Sequence, residues 1–286
     1  MKSKKFLALA LAAISVGTMA AFASCGEGGT STGGGTSTGG GDSTDGTTIT
    51  ITGSSSVSPL MQELAAAYME DHDVLINVET SDSGTGIRDT QNGRNDIGMA
   101  SRDLKDTETG VVSKQIATDG VALIVGTGCT VSDVTAAEVY DLYANGTPIK
   151  NVINAGINRE PSSGTRGAFT ELIKKEGHAL DELDTFASCI TEQNSTEAVK
   201  TTIAGSTTVM SYISLGSLDD TVKALKFEGV EATVENVADG SYTLSRPFNI
   251  VYKSEDSLSD AAKAFIDFIM SEEGQTIVEQ KGYIKM

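Results

Sequence analysis

Residues 158–166, Asn-Arg-Glu-Pro-Ser-Ser-Gly-Thr-Arg, combine a fixed positive charge with hydroxyls and a glycine. Ser163 and Thr165 supply hydroxyl donors, and Gly164 lets an oxygen-rich ligand come close to the main chain. Arg159 offers a planar fork that suits two oxygens of a tetrahedral oxyanion. Together these residue types can hold an anion. An apolar run containing Val152, Ile153 and Ile157 precedes them and reads as a strand, while residues 167–175 read as a helix. Such a junction points the unpaired N–H groups of a helix's first turn, and the positive end of its dipole, at a ligand.

Ser-Gly-Thr also occurs as an ordinary surface cap, so recurrence is what separates the two readings. Ser83-Gly84-Thr85 repeats the tripeptide between a strand-like run at 74–80 and a helix-like one at 87–92. Gly53-Ser54-Ser55-Ser56 makes a third such turn, between the alternating run at 48–52 and a helix carrying Leu60, Leu64, Ala67 and Tyr68. Three donor-rich turns could converge on one ligand.

Catalytic equipment is sparse. His72 in an Asp-His-Asp turn and His178 after Gly177 both read as surface residues, and no Walker loop, His-Glu-x-x-His or Gly-x-Ser-x-Gly is present. Nothing near the turn serines in sequence would deprotonate them, so the pattern points to binding without turnover and to no metal or cofactor.

Residues 1–24 read as an export signal: Lys2, Lys4 and Lys5, then an apolar stretch at 6–16, then small residues, too short for a membrane span. Phe22-Ala23-Ser24-Cys25 resembles the bacterial lipoprotein cleavage box, which makes Cys25 the expected lipid attachment point; a plain secretory signal with a leftover thiol is the alternative. Residues 25–46, rich in Gly, Ser, Thr and Asp, read as a flexible tether from that anchor. Cys129 and Cys189 could pair or remain free thiols.

From Thr47 onward, strand and helix patterns alternate, which argues for α/β layers in a body large enough for two lobes. Residues 95–100 and 121–125 read as strands and 134–145 as a helix. Residues 195–204, 209–213, 222–227 and 234–239 read as helix, strand, strand and helix. A strand at 247–252 and helices at 258–270 and 273–280 close the chain. Without residues 1–24 the net charge is −18 − 3 = −21, which argues against nucleic acid as a partner. A recessed anion site answers to its own donors, because salt screens exposed charge beyond about 8 Å.

Four segments then fall into a familiar order: residues 50–60 (Thr-Ile-Thr-Gly-Ser-Ser-Ser-Val-Ser-Pro-Leu), 81–88, 96–103 (Asp-Ile-Gly-Met-Ala-Ser-Arg-Asp) and 158–166. Their order and spacing resemble the phosphate-binding proteins of phosphate ABC importers, over essentially the whole chain after the tether and in a Gram-positive, lipoprotein form. The resemblance implies a two-lobed α/β periplasmic-binding-protein fold of type II, with a ligand cleft between lobes joined by two crossover strands. Lobe I would be 47–121 plus 247–286, and lobe II 122–246. It implies a protein lipid-anchored on the outer face of the cell membrane that captures inorganic phosphate and delivers it to a permease with its ATPase.

Matched residue by residue, the resemblance assigns phosphate contacts to Ser55 and Ser56 (as backbone and hydroxyl donors), Ser83, Ser101, Arg159, Ser163, Gly164 and Thr165. Ser101 stands where relatives carry an aspartate that accepts the proton phosphate bears and sulfate lacks. Asp82 could move into that role, and Arg102 could join the cage or face solvent. Sulfate or molybdate carriage, a surface phosphatase, and an adhesion or sensor lipoprotein are the alternatives.

Overall fold

A computed structural model describes residues 47–286; the signal, Cys25 and tether readings lie outside the described residues. The main strands are β1 (Thr47–Ser54), β2 (Val74–Ser81), β3 (Ile97–Ala100), β4 (Val112–Gly126), β5 (Ala155–Arg159), β6 (Ile190–Gln193), β7 (Val209–Ser214) and β8 (Ser245–Tyr252). The helices are α1 (Ser58–Asp71), α2 (Ser83–Asn92), α3 (Ala136–Asn145), α4 (Gly164–Leu172), α5 (Thr196–Ala204), α6 (Val234–Ala238), α7 (Asp260–Met270) and α8 (Glu272–Gln280).

The strands pair in the order β2-β1-β3-β8-β4-β7-β5-β6, with β1 parallel to β2 and β3, and β5 parallel to β6 and β7. β4 joins two halves of this arrangement. Its first part pairs antiparallel with β8 from Val112 to Gly120, and its second with β7 from Val121 to Val125. Each half has its own apolar core. One contains Ile49, Leu60, Leu64, Tyr68, Phe248 and Phe265; the other contains Leu123, Leu142, Tyr143, Phe169, Ile203 and Tyr212. Members of the first core lie on β4 up to Ala117 and return on β8 at Phe248, while the second runs from Val121 to Leu244. The chain thus passes twice between the cores, in the two-lobed, two-crossover arrangement expected of it.

Local chemistry accounts for the elements. Leu60, Leu64 and Tyr68 recur at four-residue spacing and bury one stripe of α1, whose Pro59 sits in the first turn where a missing N–H costs little. α3 starts at Ala136 rather than 134, because Thr135 caps it in a reciprocal capping box with Glu138 and Asp133–Val134 is extended. The run at 222–227 is two short pieces, Val222–Ala224 and Lys226–Phe227, each paired to a different strand. Cys129 is buried and Cys189 half-buried, both as free thiols. Among the described residues no helix is long and apolar enough to cross a membrane.

Where the cores meet, Asp119 on β4 faces Arg246 on β8 in register, and both are fully buried. Asp119 Oδ2 accepts from Arg246 Nη2 at 2.9 Å and Nε at 3.1 Å, and Oδ1 accepts from Ser214 Oγ at 2.9 Å. Burial pushes the Asp119 carboxyl up, and the Arg246 charge and its hydrogen bonds pull it part of the way back.

Candidate functional site

The donor-rich turns all lie just beyond the carboxyl ends of parallel strands, where open α/β sheets place their ligands. β1 runs into Ser55 and Ser56, β2 into Asp82 and α2, β3 into Ser101, and β5 ends on Arg159 ahead of α4. α2 and α4 begin earlier than their apolar patterns suggest. Asp82 accepts the Thr85 N–H and Ser163 the Arg166 N–H, so Ser83-Gly84 and Gly164-Thr165 are first-turn helical residues. The first N–H groups of α4, on Gly164 and Thr165, therefore have no intrahelical acceptor and can face a ligand. Ser163 Oγ caps with a lone pair and keeps its proton to donate elsewhere.

Side chains from the two halves interlock. Arg159 Nη2 donates to Ser55 Oγ at 3.1 Å, and Ser56 Oγ lies 2.8 Å from Thr165 Oγ1. Ser101 Oγ lies 3.0 Å from Ser54 Oγ and 3.3 Å from Ser83 Oγ, and the Ser101 amide donates to Ser83 Oγ at 3.1 Å. Gly84 N–H donates across the gap to the Ser162 carbonyl at 3.0 Å. Ser83 and Ser101 are 0% exposed and Arg159 2%, so these polar groups act in a medium where hydrogen bonds to charge are strong. All eight residues expected to grip the anion are in this cluster or its first helical turns.

Several of those expectations change in detail. The Ser55 amide is not a free donor: it bonds the Ser81 carbonyl at 3.1 Å, extending the β1–β2 ladder by one residue, so Ser55 offers only its hydroxyl. The Ser56 amide leans on Ser54 Oγ at 3.3 Å. Both carboxylate oxygens of Asp82 are engaged by Thr85, one by its N–H and one by its hydroxyl, each at 2.8 Å. Arg102 forks onto Glu108 with two contacts of 2.7 Å, away from the serines, and lines a separate cleft of about 580 Å³ with Arg166 and Phe186. Burial alone would raise the Glu108 carboxyl, yet the Arg102 hydrogen bond and charge hold it below its usual range.

Arg159 is aimed from several sides. Glu160 takes Nε at 2.8 Å and Nη2 at 2.7 Å, leaving the remaining guanidinium edge to the serine side. Its backbone N–H donates to Asn158 Oδ1 and Tyr212 Oη, at 3.0 Å and 3.1 Å. The Tyr212 ring stacks on Phe169 with centroids 3.9 Å apart, and burial pushes its hydroxyl up, so it remains a neutral donor. Arg166 Nη1 donates to the Arg159 carbonyl at 2.8 Å. Because Glu160 pairs with Arg159, the two side chains together carry no net formal charge.

The chain matches the PBP superfamily domain over residues 36–273. It is 32% identical to the phosphate-binding protein PstS of Bacillus subtilis over 298 residues, covering 99% of this chain and 94% of that one. It belongs to the PstS family of phosphate-binding proteins. The match to phosphate-binding protein PstS 2 of Streptococcus agalactiae is higher, 45%, but covers 139 residues, 48% of this chain and 47% of the relative, so the chain spans about half the length of that relative. Among solved structures, a Clostridium perfringens protein with bound phosphate superposes with a TM-score of 0.77 at 38% identity, covering 84% of this chain and 99% of that one. An ABC-type phosphate transport receptor from Vibrio cholerae gives 0.67 at 33% identity, with 84% and 100% covered.

In this PstS-family chain, Ser54 belongs to the first donor turn but was assigned no contact, and Thr196 joins the cluster without having been a candidate. Thr196 opens α5, capped by Ser195, just beyond the carboxyl end of β6. A strand-to-helix junction with a serine cap was the available signal, and Ile-Thr-Glu-Gln hid it by lacking apolar alternation. Gly164 shows how tightly the halves close: a methyl group there would lie 2.2 Å from Ser83 Oγ and 2.6 Å from Ser101 Oγ. Gly164→Ala is expected to lower anion affinity about tenfold to a hundredfold by wedging the cleft, while melting of the ligand-free protein is unchanged or raised. Titration calorimetry and thermal melting check this, and wild-type affinity in the variant contradicts it.

Proposed function

We propose that this protein captures inorganic phosphate between its two lobes and hands it to an ABC-type importer. In this reading it works outside the cytoplasm, held to the membrane by lipid on Cys25, and performs no catalysis. Residues 47–121 plus 247–286 act as lobe I and 122–246 as lobe II, with the ion bridging them and closing the hinge. The observation that carries the reading is the buried convergence of Ser55, Ser56, Ser83 and Ser101 with Arg159, Ser163, Gly164 and Thr165 from the opposite half. The relatives named for phosphate binding support the choice of ion. A micromolar site needs about −8 kcal/mol. Each hydrogen bond to a charged group contributes roughly 1.5 to 3 kcal/mol, so five or six aimed donors suffice. The permease is expected to recognise the closed form.

A broader anion preference has one observation in its favour. Ser101, in the position of a family aspartate, is neutral, Asp82 accepts from Thr85 through both oxygens, and Glu160 is held by Arg159. Hydroxyls can accept the proton of hydrogen phosphate, but they do not repel a fully ionised oxyanion as a free carboxylate does. Calorimetric titration with phosphate, sulfate and molybdate tests both points. One phosphate per chain is expected, with excess sulfate competing measurably. Failure to bind phosphate removes the proposed function, and indifference to sulfate means that a carboxylate, first Asp82, turns toward the ion.

A further inference from the structure

We infer that Thr196 is a further anion-contacting residue, the contribution of α5 to the cage; this rests on the phosphate-site reading above. Its side chain is 3% exposed. Thr196 Oγ1 lies 3.3 Å from Arg159 Nη1, 3.3 Å from Ser55 Oγ and 3.4 Å from Ser56 Oγ. No other residue in the cluster touches both first-turn serines and the guanidinium at once. Glu160 already holds one edge of Arg159, so Thr196 and Ser55 mark the other, the edge an oxyanion must approach.

The hydroxyl's bonding capacity decides what it does there. It has one proton and two lone pairs. Arg159 Nη1 can donate only into a lone pair, which leaves Thr196 its proton and a second lone pair. The serine hydroxyls have the same freedom. When an anion enters and attracts the protons of Ser55 and Ser56, Thr196 no longer needs to supply them with an acceptor, and its own proton turns to the same ion. Backbone placement favours this, because Thr196 is the first residue of α5 and Ser195 Oγ caps the helix through the Ala198 N–H at 3.1 Å. The Thr196 hydroxyl therefore sits at the positive, N-terminal end of α5. Since Thr196 and Ser55 belong to different halves, the contact also couples ligand capture to closure.

Thr196→Val removes the hydroxyl with little change of shape, and Thr196→Ser keeps it. Titration of the protein with inorganic phosphate is expected to show affinity about tenfold to a hundredfold weaker for Thr196→Val and within about threefold of wild type for Thr196→Ser. Melting of the ligand-free protein should be unchanged in Thr196→Ser and only modestly lower in Thr196→Val, which takes one acceptor from Arg159 Nη1. Ser195→Ala serves as the structural control: it weakens the α5 cap and lowers the melting temperature, with a smaller loss of affinity than Thr196→Val. Wild-type affinity in Thr196→Val, or an equal loss in Thr196→Ser, overturns the inference and leaves the phosphate reading standing. If the wild-type protein does not bind phosphate, that reading falls and this inference with it.

Discussion

Arg159→Ala should reduce phosphate affinity by about a hundredfold to ten-thousandfold. The estimate follows from losing two charge-assisted contacts worth roughly 1.5 to 3 kcal/mol each. The loss is compounded electrostatically, because Glu160, only 18% exposed and 2.7 Å from the guanidinium, would remain as an unbalanced negative charge beside the proposed anion site. Adding Glu160→Gln to Arg159→Ala should therefore recover part of the affinity. Arg159→Lys is expected to fall between wild type and alanine. A single ammonium nitrogen cannot replace the three guanidinium nitrogens that together hold Glu160, Ser55 and Thr196. Calorimetry on the variants, each checked by thermal melting, measures this directly. Wild-type affinity in the alanine variant would mean that the ion is held elsewhere.

The second large effect concerns stability. Arg246→Met strands the Asp119 carboxylate, which is 0% exposed, with Ser214 as its remaining side-chain donor, and should cost about 3 to 5 kcal/mol. The double variant Asp119→Leu, Arg246→Met should regain most of that loss, because a buried ion pair replaced by well-packed apolar groups is often close to neutral. Urea unfolding of the single and double variants gives the coupling energy. Additive losses would contradict a mutually dependent pair. The location makes the pair consequential: Asp119 and Arg246 sit on the two crossing strands, and Ser214 ends β7 in the second half. If the lobes close on an ion as proposed, this pair ties the crossing strands together while the lobes move about them. The double variant, if stable, should reveal whether anion binding also depends on the tie.

What could be read from the residues was local. The Ser-Gly-Thr turns were visible because small hydroxyl residues and glycine interrupt apolar runs there, and α/β alternation followed from the same runs. Other features depend on contacts between segments far apart in the chain. The Ser55 amide reads as a free donor until the parallel ladder of β1 and β2 carries the Ser81 carbonyl to it. Arg102 resembles a cage residue in sequence, yet Glu108 six positions later takes its whole fork. β4 was visible only over 121–125, because Ser113, Lys114 and Gln115 pair with β8 on the less buried part of the sheet and carry no apolar signal. β6 is the end strand of the order, so it needs little apolar character, and Thr196 was lost with it. The helix starts at Ser83 and Gly164 were hidden because capping by Asp82 and Ser163 begins each helix before its apolar face does.

The most direct test is a crystal structure of the protein grown with phosphate. Density for one ion is expected within hydrogen-bond distance of the Arg159 guanidinium, the Gly164 and Thr165 amides and the Ser56 and Ser83 hydroxyls, so that both halves touch it. A phosphate bound to one half alone, or resting outside these residues, would contradict the account.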